Sequence, residues 1–233
     1  MSGNRPRIVL VGPPGAGKST VGRRLSAALG TAYHDLDDHI VEAAGLPVPV
    51  IFATHGEAHF RRLETELLAR ALGGGGANVV GGANHGDGGG ANVDDANHGD
   101  CGDANLGDGG DANHGDGGDG APQFGGVLAL GGGTPVQLLN QRALAAYAAA
   151  GGIVAFLDVS VDAAVARLGE HNTDRPLLAG DTRAKFTALL AARRDIYEAV
   201  STVIVDTSGR NATDITEELL THIAKEDADD RSQ

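Results

Sequence analysis

The stretch GPPGAGKS, Gly12 to Ser19, has the residue types and spacing of a phosphate cradle. It fits G-x-x-x-x-G-K-[ST], and it stands between a short apolar run, PRIVLVG, and a segment of helical character. Glycines there let backbone N–H groups turn inward around phosphate oxygens, and a helix N-terminus adds partial positive charge. Lys18 can then reach the β- and γ-phosphates of a nucleotide, and the Ser19 hydroxyl can ligate magnesium. Further on, HDLDD places Asp35 and Asp37 two apart. On an extended segment both would project from one side, one carboxylate to hold a metal through water and the other to take a hydroxyl proton. Capping of a helix by Asp37 or Asp38 is the alternative. Arg61 and Glu64, three apart, share a helix face, either as a fixed guanidinium or as a plain surface ion pair. Gly131 to Gly133 follow a strand-like run; they form either a turn or a place where backbone N–H groups meet a small ligand.

These residues need a scaffold, and the pattern of the chain supplies one. PRIVLVG, AYHDLD, VLAL, IVAFLDV and TVIVD read as strands. Between them, helices are expected over Ser19–Leu29, Gly56–Leu72 and Leu138–Ala150, another directly after IVAFLDV, and one over about Thr182–Ala199, with a last one near the end. Pro47 and Pro49 mark a loop or irregular turn. Strands alternating with helices predict a parallel sheet covered by helices, an α/β fold of three layers.

One tract breaks the pattern. From Gly73 to Gly126 there are 21 glycines, one aromatic residue, nine aspartates and no lysine, arginine or glutamate. ANHGD begins at Ala83, Ala96 and Ala112, with variants between, at spacings that match no calcium-binding β-roll period. Such a segment cannot bury enough surface to offset chain entropy, and it reads as a disordered insertion; metal binding through its Asp and His residues is the alternative. It holds most of the formal charge of -13. The remainder is only mildly acidic, and no basic face offers itself to nucleic acid. The N-terminal apolar run is far shorter than the roughly 20 residues of a spanning helix, and the one cysteine, Cys101, allows no internal disulfide. A cytoplasmic protein without membrane contact is expected.

Taken in order, GPPGAGKST, DLD, IFATHGEAHFRRLE, LALGGG, NTDRPLL and ARRDIY resemble the shikimate kinase family over nearly the whole chain apart from the tract and the acidic end. The resemblance implies a P-loop kinase with a five-stranded parallel sheet and a mobile lid, converting ATP and shikimate to ADP and 3-phosphoshikimate with Mg²⁺, as a monomer. It divides the chain into residues 1–72, the insertion 73–126, residues 127–224 with a lid at 169–180, and an acidic disordered tail 225–233.

The same resemblance implies roles for individual residues. Gly15, Ala16, Gly17, Lys18, Ser19 and Thr20 would hold the nucleotide, Asp37 would be the base, and Asp35 and Ser19 would stand near the metal. Arg61 and Arg194 would bind the shikimate carboxylate, with Glu64 supporting Arg61 and with Gly132 and Gly133 touching the substrate. Arg175 would close over the phosphates, and Arg210 would lie on the adenine side. Two positions depart from the family pattern. Ala212 stands where a proline is frequent, and Leu168, beside Arg167, stands where a basic residue is frequent. A related small-molecule kinase such as a gluconate kinase, or a nucleotide-binding scaffold presenting the Asp/His tract, is the alternative reading.

Overall fold

A computed structural model describes residues 5–73, 124–170 and 182–230. Residues 171–180 of the expected lid, Arg175 among them, the insertion apart from its edges, and the first four and last three residues lie outside the described residues; 169 and 170 end a helix.

Five strands make one all-parallel sheet in the order β2-β3-β1-β4-β5. They are β1 (Pro6–Val11), β2 (Tyr33–Asp35), β3 (Gly126–Ala129), β4 (Ile153–Asp158) and β5 (Val203–Asp206). The central strand shows why the sheet is covered on both sides. Ile8, Val9, Leu10 and Val11 have no exposed surface, and period-2 alternation sends Val9 and Val11 into one core and Ile8 and Leu10 into the other. Against the first core lie α2 (Leu36–Ala44), α3 (Val48–Ala71) and α4 (Leu138–Ala149). Against the second lie α1 (Lys18–Leu29), α5 (Val161–Glu170) and α7 (Ala212–Asp230). The helix α6 (Thr182–Val200) serves both, with Phe186 and Leu190 in one core and Tyr197 and Val200 in the other. The expected three-layer α/β architecture is what forms.

The departures from expectation have local causes. The segment HDLD is not extended throughout: β2 ends at Asp35, whose side chain caps α2 by accepting from the Asp37 N–H at 3.2 Å. The capping carboxylate is therefore Asp35, and Asp37 sits in the first helical turn. The stretch α3 is two helices meeting at Gly56: the expected helix from Gly56 toward Leu72 is the second, and a first one, not foreseen, begins at Val48 with Pro49 in its first turn, where a missing N–H costs nothing. Gly56 survives inside α3 as a kink, with φ 77° and ψ 170°. At the other end of the chain, α7 runs to Asp230, so residues 225–230 are helical where a disordered tail was expected.

Candidate active site

The strands end in a cleft of about 460 Å³ at the C-terminal edge of the sheet, where ligands collect in open α/β folds. Its floor is the loop between β1 and α1. Gly12, Gly15 and Gly17 have φ values of 145°, 77° and 89°, a region that L side chains avoid. A Cβ on Gly12 would also lie 2.6 Å from the Leu157 carbonyl. Helix α1 begins behind Gly17 without a side-chain cap and without an acid in its first turn, so its terminal N–H groups are left for an anion. Gly15, Gly17, Lys18, Ser19 and Thr20 line the cleft. Ala16 contributes differently: its side chain is buried in the core and its N–H donates to the Pro13 carbonyl at 3.3 Å.

Lys18 folds over this loop, its Nζ donating to the Gly12 and Pro13 carbonyls at 2.8 and 3.0 Å. Burial pulls its pKa down to about 8, against the attraction of Asp35 and Asp37. Asp37 moves the other way. Burial, then Asp35 and Glu64, push its carboxyl up to about 6, and Lys18 only partly opposes them. Beside them the Tyr33 hydroxyl donates to Asp35 Oδ2 at 3.0 Å, and burial raises that phenol to about 12. Ser19 and Asp35 both border the cleft and offer only oxygen donors, which suits a hard cation such as Mg²⁺. Among the described residues no group of three His, Cys, Asp or Glu converges. A magnesium ion here would therefore be held chiefly by phosphate oxygens and water, as Mg²⁺ in phosphate sites commonly is.

The opposite wall is the Gly131–Gly133 triplet, and its neighbours explain the glycines. None of the three has a positive φ; the constraint is space. A Cβ on Gly131 would lie 2.9 Å from Asp37 Oδ1, one on Gly132 would lie 3.2 Å from Pro14, and one on Gly133 would lie 3.0 Å from Arg61 Nη1. The triplet thus spans from the carboxylate to the guanidinium. Arg61 is aimed by acids: Nη1 donates to Glu64 Oε2 at 2.8 Å, while Nε and Nη2 meet Glu57 at 3.4 and 3.3 Å. Glu64 is only 1% exposed, which excludes the surface-pair reading. Its second oxygen accepts from the Thr134 hydroxyl at 2.6 Å, and Asn140 in turn donates to the Thr134 carbonyl at 2.9 Å. A buried carboxylate is tolerable only when both oxygens are served, as here.

Arg194 is not part of this wall. It forms a two-point pair with Asp158 at 3.1 and 2.5 Å and a second contact with Glu198 at 2.8 Å, and its side chain is 44% exposed. Its neighbour Arg193 is the one that reaches the triplet, donating from Nη1 to the Gly132 carbonyl at 3.1 Å. The signal was present in the sequence. Phe186, Leu190, Tyr197 and Val200 form the buried stripe of α6, and position 193 falls on that stripe while 194 falls beside it.

The structure also brings Arg167 to the cleft. It donates to the Gly15 carbonyl at 3.2 Å and to the Thr207 carbonyl at 2.5 Å, with Leu168 beside it in the lining. Arg210 does not line the cleft; it is held by the Asp206 carbonyl at 3.1 Å and by Glu218 at 2.6 Å. Asn211 caps α7, accepting from the N–H groups of Thr213 and Asp214, so Ala212 opens that helix without needing a proline.

The comparisons agree with this geometry. The family model for shikimate kinase matches residues 14–97 and 121–224. A shikimate kinase of Mycobacterium avium (strain 104) is 34% identical, with 96% of each chain covered. That of Streptomyces coelicolor is 36% identical over 96% of this chain and 98% of its own. Among solved structures, shikimate kinase from Acinetobacter baumannii in complex with shikimate superposes with a TM-score of 0.66 at 26% identity, covering 96% of this chain and 95% of that one. With a phosphate loop, a glycine wall and a match along nearly its whole length, this chain belongs to the shikimate kinase family.

Proposed function

We propose that this protein is a shikimate kinase, transferring the γ-phosphoryl group of ATP to the 3-hydroxyl of shikimate to give 3-phosphoshikimate and ADP. The observation that carries the reading is the glycine triplet, which sets Asp37 and Arg61 at its two ends beside the phosphate loop. Arg61 and Arg193 hold the shikimate carboxylate, and Arg193 takes the place in this reading that the sequence assigned to Arg194. The planar fork of a guanidinium suits a carboxylate, and two of them fix one end of a small anion. Asp37 addresses the other end. It accepts the hydroxyl proton as the new O–P bond forms and the bond from the γ-phosphorus to the β–γ bridging oxygen breaks, releasing ADP. Lys18 and the N–H groups of the loop hold the phosphates in line, so that alignment and opposed charge lower the barrier.

Mg²⁺ would be held by Ser19 Oγ and, through water, by Asp35, and it would supply positive charge against the phosphates. Arg175, on the sequence resemblance, adds charge from the lid, which excludes water as a competing acceptor. Arg167 borders the base side. Among the described residues no helix is long and apolar enough to cross a membrane, and the monomeric, cytoplasmic state is part of this proposal on the strength of the family. A coupled assay of ADP release with shikimate, with gluconate and without acceptor tests it. Release that requires shikimate is the expected result; release with gluconate alone, or none with either acceptor, would refute it.

A further inference from the structure

The Gly132 carbonyl receives two hydrogen bonds from α6. The Tyr197 hydroxyl donates at 2.5 Å, and Arg193, one turn earlier, donates at 3.1 Å. A carbonyl has two lone pairs, so this oxygen is fully engaged. Tyr197 has no exposed surface, and its ring packs on Phe156 of β4 at 5.2 Å between centroids. The position of the phenol is therefore set by the core and not by solvent.

That anchoring has a consequence one atom further along. A trans peptide is planar, with its C=O and the following N–H pointing in opposite directions. Holding Gly132 O against α6 turns the Gly133 N–H away from α6, and Gly132 itself lines the cleft. Among the described hydrogen bonds, the N–H groups of Gly132 and Gly133 have no protein acceptor. Three glycines in a row have no preference of their own for one peptide orientation, because each explores both signs of φ. Something outside the triplet has to choose, and the buried hydroxyl does.

We propose that Tyr197 is a positioning residue for the phosphoryl acceptor: with Arg193 it locks the Gly132–Gly133 peptide so that its N–H is presented to shikimate. This rests on the shikimate kinase reading. Tyr197→Phe removes one oxygen and keeps the ring against Phe156. Wild-type protein is assayed first, and absence of shikimate-dependent ADP release there would overturn the function itself, whatever Tyr197 does. With wild type active, loss of one hydrogen bond predicts a rise of about 3- to 10-fold in the shikimate KM, with the ATP KM within about twofold. In combination with Arg193→Lys the effect should be less than additive, since both side chains act on one carbonyl. An unchanged shikimate KM, strict additivity, or a fall in kcat alone with both KM values unchanged would overturn the proposal. A Tyr197→Phe chain that does not fold would overturn it equally, by assigning the hydroxyl to stability.

Discussion

Replacing Asp37 with Asn should make the protein more stable and nearly inactive. Burial, with Asp35 and Glu64 beside it, pushes the Asp37 carboxyl up to about 6, from 3.8 for an unhindered aspartate. The folded chain therefore holds that proton more tightly than the unfolded chain does. The stability this brings is fully present below about pH 4 and is lost as the pH rises through about 6. Above pH 7 the folded state carries the whole cost of an ionised carboxylate in this setting. Two units at 1.36 kcal/mol each set an upper bound of about 3 kcal/mol; screening by water in the cleft reduces this to about 1.5–2.5 kcal/mol. Asn has the same shape and no charge to bury. For a domain of this size, Asp37→Asn should raise Tm at pH 8 by roughly 3–10 °C, and the gain should vanish near pH 4. Scanning calorimetry of both proteins across pH 4–8 measures this, and steady-state kinetics should show turnover reduced by about 10²–10⁴. A Tm difference that does not change with pH would refute the electrostatic argument. Near-normal turnover would remove Asp37 as the base.

Three further outcomes follow from the geometry. Arg193→Met should raise the shikimate KM at least tenfold and leave the ATP KM unchanged, whereas Arg194→Met should leave the shikimate KM alone and cost stability through loss of the Asp158 pair; kinetics and melting of the two variants separate them. Thr134→Val leaves the second oxygen of Glu64 without its donor inside the protein, at a cost of about 1–3 kcal/mol, and by loosening Arg61 it should raise the shikimate KM severalfold, read from thermal melts and kinetics. Excision of residues 74–121, with a short Gly-Ser linker, should preserve kinase activity and raise Tm by several degrees, because shortening a loop of about 50 residues to about 6 recovers roughly 2 kcal/mol of closure entropy. The chain leaves the described fold beside Arg5, whose Cδ would lie 2.9 Å from a Cβ on Gly73, and returns just before Gly126, the partner of Pro6. Both points lie at the N-terminal edge of the sheet, about a strand length from the cleft.

The parts of this protein legible in its sequence are those whose physics is local. The runs Ile8–Val11 and Ile153–Leu157 are apolar throughout because both faces of a parallel strand are covered, and the phosphate loop is a contiguous motif that carries its own backbone geometry. The misplacements came where contact with another segment or a one-residue phase decides. HDLD looks extended until the Asp35 side chain captures the Asp37 N–H. Arg193 and Arg194 are indistinguishable as residue types, and only the buried stripe of α6 separates them. Thr134 and Tyr197 carried no signal, since their partners, Glu64 and Gly132, lie 70 and 65 residues away. Arg175 and most of the tract lie outside the described residues, and their roles stay with the sequence reading.

Burial in the cleft works against the charged forms of two groups that the reaction uses. Lys18 and Asp37 carry opposite charge and attract one another, yet each is pushed toward neutrality, the amine to about 8 and the carboxyl to about 6. Burial outweighs the attraction for both groups; around Lys18 the Gly12 and Pro13 carbonyls accept hydrogen bonds from the ammonium but supply no formal charge. Phosphates bound in the loop would supply that charge, and a protonated Lys18 would then be favoured. A cation at Ser19 and Asp35 would lower the repulsion that Asp35 exerts on Asp37, favouring the ionised base. Each ligand thus moves a catalytic group into the protonation state the reaction needs. Substitutions that neutralise the cleft should therefore stabilise the fold at the expense of turnover.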